Sequence, residues 1–404
     1  MHHRFGRRAF MKGLGAASVS LAWPGCGGHA PERYTAEDAA ELVRQREQES
    51  AASGRGPYGQ QRYAGYRGLA ELPWYELDEQ GQLVCRDASI PQAIDFHCHL
   101  GISTLFAPDI DLQRRHDRVI HLLDCDGQNP GCELDLDIYI NGNFGEEGES
   151  DLRSESLAQG LWGSDKAETQ TIPNLLAEMD AIRVERAVLL PIRFGWPFGD
   201  DLNERWREAL DVADVPDRLS LGASVHPDDG DRLERLERYA AAGARVVKLH
   251  PPMQRFYPDD PSLFDIYDLC RSLGLIVFFH AGRAGVEPES LHGYALPRHY
   301  EAALAEFPEL PFVLGHSGAR DADGFLELAL RHENAWLGIH GQGVSHLHEM
   351  IERTGGRRML FGTDWPWYHL AATHAKVLIT TEGRADVRAA ILRENALALL
   401  ESRA

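Results

Sequence analysis

Two histidines that could share a metal ion lie in the string Asp-Phe-His-Cys-His. If this string is a strand, strict alternation places Asp95, His97 and His99 on one face. The pair alone is a weak signal, because 19 histidines in 404 residues give about one His-x-His by chance. Support has to come from polar side chains elsewhere in the chain.

Three more such side chains each end an apolar run. His280 ends LIVFFH, His316 ends PFVLGH and Asp364 ends MLFGTD. A buried imidazole or carboxylate without a partner is costly, so these groups are expected to pair or to bind an ion. Imidazole and carboxylate ligands suit Zn²⁺ or a similar divalent ion. The sequence therefore predicts a metal site where several strands end.

Eight apolar runs alternate with amphipathic segments of helical spacing. The runs lie near 92–97, 187–192, 219–225, 244–249, 275–280, 311–316, 335–340 and 358–364. This alternation predicts a parallel α/β fold, and eight repeats predict a (β/α)₈ TIM barrel, with a doubly wound open sheet as the alternative. In a barrel the carboxyl ends of the strands form one face, which carries the active site.

The strings DFHCHL, VVKLHPP, FFHAG, LGHSG and FGTDWP, in this order, resemble the amidohydrolase superfamily. The likeness is to its amidohydrolase-related branch of metal-dependent TIM barrels and covers about 90–404. It implies that His97, His99, His280 and Asp364 surround a metal ion. It also implies that His316 is either a ligand of a second metal or a catalytic acid/base.

Lys248 ends the run ARVVK, where binuclear relatives carry a carboxylated lysine that bridges two metals. In the KLHP-containing branch a single metal is common. The resemblance therefore implies one Zn²⁺, and two ions only if Lys248 is carboxylated. Otherwise Lys248 pairs with an acid or holds a substrate carboxylate. We expect His250 to shape the following loop rather than to be a ligand.

This site predicts a metal-dependent hydrolase. A divalent ion lowers the pKa of a bound water from 15.7 toward about 7. Asp364 is then placed to act as base, and His316 or the metal to stabilise the oxyanion, in the cleavage of an amide, lactone or other ester. Non-oxidative decarboxylation, which occurs in the related branch, is the alternative. A periplasmic barrel that binds a metal or ligand without turnover is a third interpretation.

Loops on the same face carry aromatic and cationic residues that could contact substrate: Arg193 and Trp196 after the second run, Arg283 after the fifth and Trp365 after the eighth. Aromatic walls with a few cations suit a small, partly apolar carboxylate. The alternative is that these are packing residues and exposed arginines.

The first 30 residues have the layout of an export signal. Their G-R-R-A-F-M-K string resembles a twin-arginine signal, and the uncharged stretch Gly13–Gly25 is too short to span a bilayer. Gly25-Cys26 also resembles a lipoprotein cleavage site. We therefore expect an exported protein, periplasmic or, if Cys26 is lipidated, anchored at the membrane surface.

The charge balance limits the partners. With 41 basic and 62 acidic side chains the net charge is −21, which disfavours nucleic acid and anionic membranes. A small-molecule substrate is the expected partner, and the sequence does not decide between a monomer and a homodimer.

Two segments lie outside the predicted barrel of residues 90–404. Residues 31–89 form an extension with a helix from about 34 to 50, followed by a linker or wrapping arm. Residues 101–171 form an acidic, turn-rich insertion after the first strand that could act as a lid. Within it, Cys125 and Cys132 are predicted to form a disulfide, since an exported protein meets an oxidising compartment.

Overall fold

The computed structural model describes residues 33–402, except 124, 127–131 and 143–145. The predicted export signal at 1–30, with Cys26, lies outside the described residues. No helix in the described part of the chain is long and apolar enough to cross a bilayer.

The strands are short and are numbered in chain order: β1 Arg62–Ala64, β2 Tyr75–Leu77, β3 Leu83–Cys85, β4 Ala93–Cys98, β5 Glu133–Asp135, β6 Val184–Leu189, β7 Leu219–Leu221, β8 Ala223–Ser224, β9 Val246–Leu249, β10 Ile276–His280, β11 Phe312–Gly315, β12 Ala335–Gly338 and β13 Met359–Leu360. The α-helices are Ala36–Ala52, Glu146–Trp162, Asp165–Thr169, Ile172–Ile182, Leu202–Ala213, Arg232–Ala241, Pro251–Gln254, Phe264–Ser272, Glu301–Glu306, Ala322–Arg331, Val344–Thr354, Ala371–Thr380, Ala385–Ala389 and Asn395–Glu401. Single 3₁₀ turns cover, among others, Tyr139–Gly142 and His316–Gly318, and Ala390–Glu394 is a π-helical turn.

Strands β4 and β6–β13 form a closed parallel barrel, which confirms the predicted (β/α)₈ fold. One sheet runs β4-β6-β7 and the other β8-β9-β10-β11-β12-β13. Only Gly222 separates β7 from β8, so the two strands act as one bent strand. A Cβ at this position would lie 2.9 Å from the carbonyl oxygen of Val246, so glycine fits the bend. The barrel closes where the Phe96 amide donates to the carbonyl of Phe361 at 2.9 Å. All eight predicted runs are barrel strands.

Apolar side chains fill the barrel and the layer around it. Ile94, Phe96 and Phe278 belong to an inner cluster that also contacts the C-terminal helix at Ala396 and Leu399. A larger cluster packs the outer strand faces against the surrounding helices. Polar residues at the strand ends therefore rest on a rigid base, as precise catalysis requires.

The extension packs against the barrel. Its helix, Ala36–Ala52, begins with a capping box. The Thr35 hydroxyl accepts from the Asp38 amide at 3.2 Å. Further along, β1 pairs antiparallel with β5 of the insertion, and Tyr66 is buried in the outer core.

The insertion contains the helix Glu146–Trp162 and a disulfide. Cys125 and Cys132 are bonded, which confirms that prediction. The disulfide joins the loop that ends at Cys125 to Cys132, the residue before β5. The amides of Leu122 and Leu123 donate to the carbonyls of Pro366 and Trp367, so the insertion is attached to the loop that follows Asp364.

Candidate metal centre

Three side chains converge at the carboxyl end of the barrel. His97 lies in β4, His99 follows it by two residues, and Asp364 follows β13. The Nε2 atoms of His97 and His99 are 3.0 Å apart, and Oδ1 of Asp364 lies 3.4 Å and 3.2 Å from them. Ligand atoms around one tetrahedral zinc ion are about 3.3 Å apart, given Zn–N bonds of about 2.0–2.1 Å. The group therefore has the spacing of a metal site.

The hydrogen bonds of His99 prepare its ring for an ion. Its Nδ1 lies 2.7 Å from the carbonyl oxygen of Leu190, which can only accept. Nδ1 therefore carries the proton, and the lone pair on Nε2 faces the cluster. A hydrogen bond of this kind fixes the tautomer of a metal-binding histidine.

His280 and His316 lie beside this group. Their ring centres are 4.5 Å apart, and that of His316 is 5.5 Å from the centre of His97. Burial lowers the pKa of His97, His280 and His316 well below the ordinary value, and the charge of Lys248 contributes at each ring. The three rings are therefore neutral, which is the form that binds metals. Nε2 of His280 is buried, and no atom in the described part of the chain hydrogen-bonds to it. An ion would satisfy it.

A further histidine, His340, belongs to the cluster that His97, His99, His280, His316 and Asp364 form. It follows β12, and its Nδ1 lies 3.3 Å from Nδ1 of His97. His97, His316 and His340 also place ligand atoms within 4.8 Å of one another. The sequence carries a signal for it, because the run AWLGIH ends in histidine, as LIVFFH and PFVLGH do.

Lys248 lies inside the cluster, at the end of β9. Its Nζ is 3.3 Å from Nε2 of His97 and 4.6 Å from the ring centre of Phe278. Burial lowers the pKa of Lys248 to about 7, so the neutral amine is accessible near neutral pH. His250 stacks on His280 at 4.1 Å and accepts from the Met253 amide, in keeping with a role in shaping the loop.

Asp95 does not lie where strict alternation places it. β4 has register shifts against β6, and Asp95 accepts from the thiol of Cys98, a residue that alternation assigns to the other face. Its carboxylate also accepts from the Thr363 amide at 3.0 Å. Asp95 therefore holds the end of β13 next to β4 and stays outside the ligand group.

A family model described as Amidohydrolase matches residues 94–401. The chain belongs to the amidohydrolase family. The strand-end histidines and Asp364 all fall within the matched range.

Several solved structures are similar to this chain. An uncharacterized TIM-barrel protein from Bordetella bronchiseptica is 23% identical, with a TM-score of 0.51, covering 63% of this chain and 91% of that chain. This likeness supports the fold. A 5-carboxyvanillate decarboxylase from Sphingomonas paucimobilis is 18% identical, with a TM-score of 0.48 and coverage of 62% and 90%. A probable 2-pyrone-4,6-dicarboxylic acid hydrolase from Acinetobacter baumannii is 15% identical, with a TM-score of 0.47 and coverage of 77% and 99%. No curated protein matches the chain.

Trp365, predicted as a substrate contact, is fully buried. Its indole Nε1 donates to Oε2 of Glu178 at 3.1 Å, and Oε1 of Glu178 lies 3.1 Å from Nε2 of His121. Burial alone would raise the pKa of Glu178, but the charges of His121 and His369 and these hydrogen bonds lower it to about 2. An ionised Glu178 thus anchors the residue that follows Asp364.

The two arginines predicted to contact substrate are engaged by carboxylates of the chain. Arg283 is buried, and its Nε lies 2.9 Å from Oδ2 of Asp321. Arg193 donates from Nε to Oδ2 of Asp229 at 2.6 Å. Trp196 is half-buried and stacks on Phe194, with ring centres 4.8 Å apart. Substrate binding by these side chains stays a prediction.

Proposed function

We propose that this protein is a metal-dependent hydrolase of a small, partly apolar amide, lactone or other ester. The observation that carries the proposal is the convergence of His97 Nε2, His99 Nε2 and Asp364 Oδ1 within 3.0–3.4 Å, beside the unpartnered Nε2 of His280. These four residues would hold the ion. When bound, a divalent ion supplies Lewis acidity that polarises a carbonyl and lowers the pKa of water.

The side chains of the cluster have separable roles in hydrolysis. Asp364 accepts a proton from the attacking water and delivers it to the leaving nitrogen or oxygen. His316 has a neutral ring, so it stabilises the oxyanion of the substrate by donating a hydrogen bond. Lys248 next to His97 adjusts the charge of the site, and its carboxylation would allow a second ion.

Decarboxylation is the alternative, and the surrounding charges favour hydrolysis. A decarboxylase must bind a substrate carboxylate before CO₂ leaves, and arginine is the residue best suited to that contact. Arg283 and Arg193 already pair with Asp321 and Asp229. With these two arginines paired, a substrate carboxylate would have to bind Lys248 or the ion, so hydrolysis of an uncharged ester, lactone or amide is favoured.

The experiment is metal analysis followed by turnover in ¹⁸O-water with a panel of esters, lactones, amides and hydroxybenzoates. Label in the product acid supports hydrolysis. Release of CO₂, with no label in the remaining organic product, supports decarboxylation. The His97→Ala variant is the matched control, because activity that survives in it comes from a contaminant. Metal-loaded protein without turnover on the whole panel would favour a barrel that only binds a ligand.

We also propose that the chain is exported through its twin-arginine string. The support is the order of basic, uncharged and small residues in 1–30. Periplasmic and membrane fractions of cells that express the wild type and an Arg7→Lys/Arg8→Lys variant provide the test. We expect the wild type outside the cytoplasm and the variant retained in it. Equal retention of both would contradict the proposal.

A further inference from the structure

The insertion brings the hydroxyl of Tyr139 to His316, in the cluster of strand-end histidines. Tyr139 is buried, and its hydroxyl oxygen lies 3.2 Å from Nδ1 of His316. Burial raises the pKa of Tyr139 well above its ordinary value, and the charges of Glu287 and Asp364 add to this effect. The hydroxyl therefore keeps its proton at neutral pH and is available as a donor.

Contacts from three parts of the chain fix Tyr139. Its amide donates to Oε1 of Glu49, in the N-terminal helix, at 2.6 Å. Arg320 binds the other oxygen of Glu49 at 2.9 Å, and its guanidinium carbon lies 5.4 Å from the centre of the Tyr139 ring. The next amide, of Ile140, donates to the carbonyl of Gly341 at 2.9 Å. The phenol is therefore held in place before any substrate binds.

The backbone around this contact is strained. Ile140 and Asn141 have φ angles of 56° and 63°, and His316 has a φ of 56°. Residues with a Cβ rarely adopt these angles, and such strain persists where surrounding contacts enforce it, often at functional sites. A Cβ at Gly341 would lie 2.7 Å from the Tyr139 ring, so only glycine leaves room for the phenol there.

We infer that Tyr139 is a positioning residue that selects the tautomer of His316, an inference that rests on the proposed hydrolysis. Because the phenol donates to Nδ1, the single ring proton of neutral His316 resides on Nε2. The Nε2–H group can then donate a hydrogen bond to the oxyanion that develops on the substrate carbonyl. His316 gives up no proton in this role, since Asp364 carries out the proton transfer.

The first test reads the tautomer directly. Zinc-loaded full-length protein with ¹⁵N-labelled histidine is examined by long-range ¹H–¹⁵N correlation spectra, which separate protonated from unprotonated ring nitrogens. The signals of His316 are those absent from a His316→Asn variant. We expect an unprotonated Nδ1 and a protonated Nε2 in the wild type, and a mixture of tautomers in Tyr139→Phe.

The second test is kinetic. Tyr139→Phe is expected to lower kcat by about 10- to 100-fold, the usual effect of losing a group that orients a catalytic histidine, with KM changed less than about twofold. Tyr75→Phe is the matched control, because the buried hydroxyl of Tyr75 also bonds to a histidine, at 2.7 Å from Nδ1 of His374, outside the cluster. It should keep kcat within about twofold of the wild type. The double variant Tyr139→Phe/His316→Asn should be no slower than His316→Asn alone, since Tyr139 acts through His316.

Three results would overturn the inference. A proton on Nδ1 of wild-type His316 would mean that the phenol accepts instead of donating. An unchanged tautomer in Tyr139→Phe, or losses that multiply in the double variant, would mean that Tyr139 does not act through His316. Failure of the proposed function looks different: no ester, lactone or amide would turn over, while the spectra would still show the expected tautomer.

Discussion

Removing the hydrogen bond between Trp365 and Glu178 should weaken both the fold and the chemistry. Trp365 follows Asp364, and its carbonyl accepts from the His99 amide at 2.6 Å. The indole contact with Glu178, in the helix Ile172–Ile182, thus supports Trp365, which is attached to the candidate ligands Asp364 and His99. We expect Glu178→Gln to release this support without changing the size of the side chain.

The magnitude follows from the two donors that face Glu178. The glutamine amide has a single acceptor oxygen and no charge, so it cannot accept from both Trp365 and His121 as the carboxylate does. Losing one buried hydrogen bond to a charged group costs about 2 kcal/mol. Unfolding entropy is about 2 cal/mol/K per residue, so the melting temperature should fall by about 2–3 °C. A shift of Asp364 of about 1 Å can cost about 10²-fold in rate, so we expect a loss in kcat of about 10- to 100-fold.

The assay is a double-mutant cycle with Glu178→Gln, Trp365→Phe and the double variant, measured by urea unfolding and by kcat. Trp365→Phe should cost more than Glu178→Gln, because it also leaves a cavity. The coupling free energy should be about 1–2 kcal/mol. Additive effects within about 0.3 kcal/mol would refute the argument, because the hydrogen bond would then contribute nothing.

The pH dependence of the same variant gives an independent readout. The pKa of Glu178 is lowered from 4.5 to about 2 in the folded protein, so its ionised form stabilises the fold above pH 4.5. This contribution is lost as the pH falls from 4.5 through 2. The difference in stability between the wild type and Glu178→Gln should therefore be full at pH 7 and shrink below pH 4.5. A difference that grows in acid would contradict the assigned contacts.

Three further outcomes concern the metal centre. The purified protein should hold about one divalent ion per chain, and His97→Ala should lose the ion and the activity together, as measured by plasma mass spectrometry beside turnover. His316→Asn should keep the ion and the fold but lower kcat by about 10²- to 10³-fold, the usual cost of losing an oxyanion donor, whereas metal-free His316→Asn would make His316 a ligand. Lys248→Ala should weaken activity with metal content nearly intact, and a wild-type count of about two ions would instead indicate that Lys248 is carboxylated.

The strand ends of the barrel could be predicted from the sequence because each follows a local pattern. A short apolar run ending in a polar residue identifies a parallel strand and its exit, and this pattern places His97, His280 and Asp364 on one face. The same pattern would have found His340. It failed at Asp95, because the register shifts of β4 break the alternation on which the prediction depended.

Pairings between distant residues could not be predicted in this way. Arg283 and Asp321 are 38 positions apart, and each resembles an ordinary surface charge in the sequence. Glu178 lies in an amphipathic helix, where a polar residue predicts exposure, yet the fold turns it toward Trp365. Tyr139 lies in a segment without periodicity, so nothing local separates it from a loop residue.

The segments outside the barrel hold the loops around the site through charge pairs, in addition to packing apolar residues into the outer core. In the extension, Arg33 binds Asp259 and Asp38 binds Arg298 on loops after β9 and β10, while Glu49 holds Arg320 after β11. Loops at this end of a barrel are ordinarily its most mobile part. Tying two of them to the helix Ala36–Ala52 and one to Arg33, just before it, fixes the surroundings of His280 and His316 in advance. Much of the positioning that catalysis needs therefore comes from residues that the barrel pattern does not include.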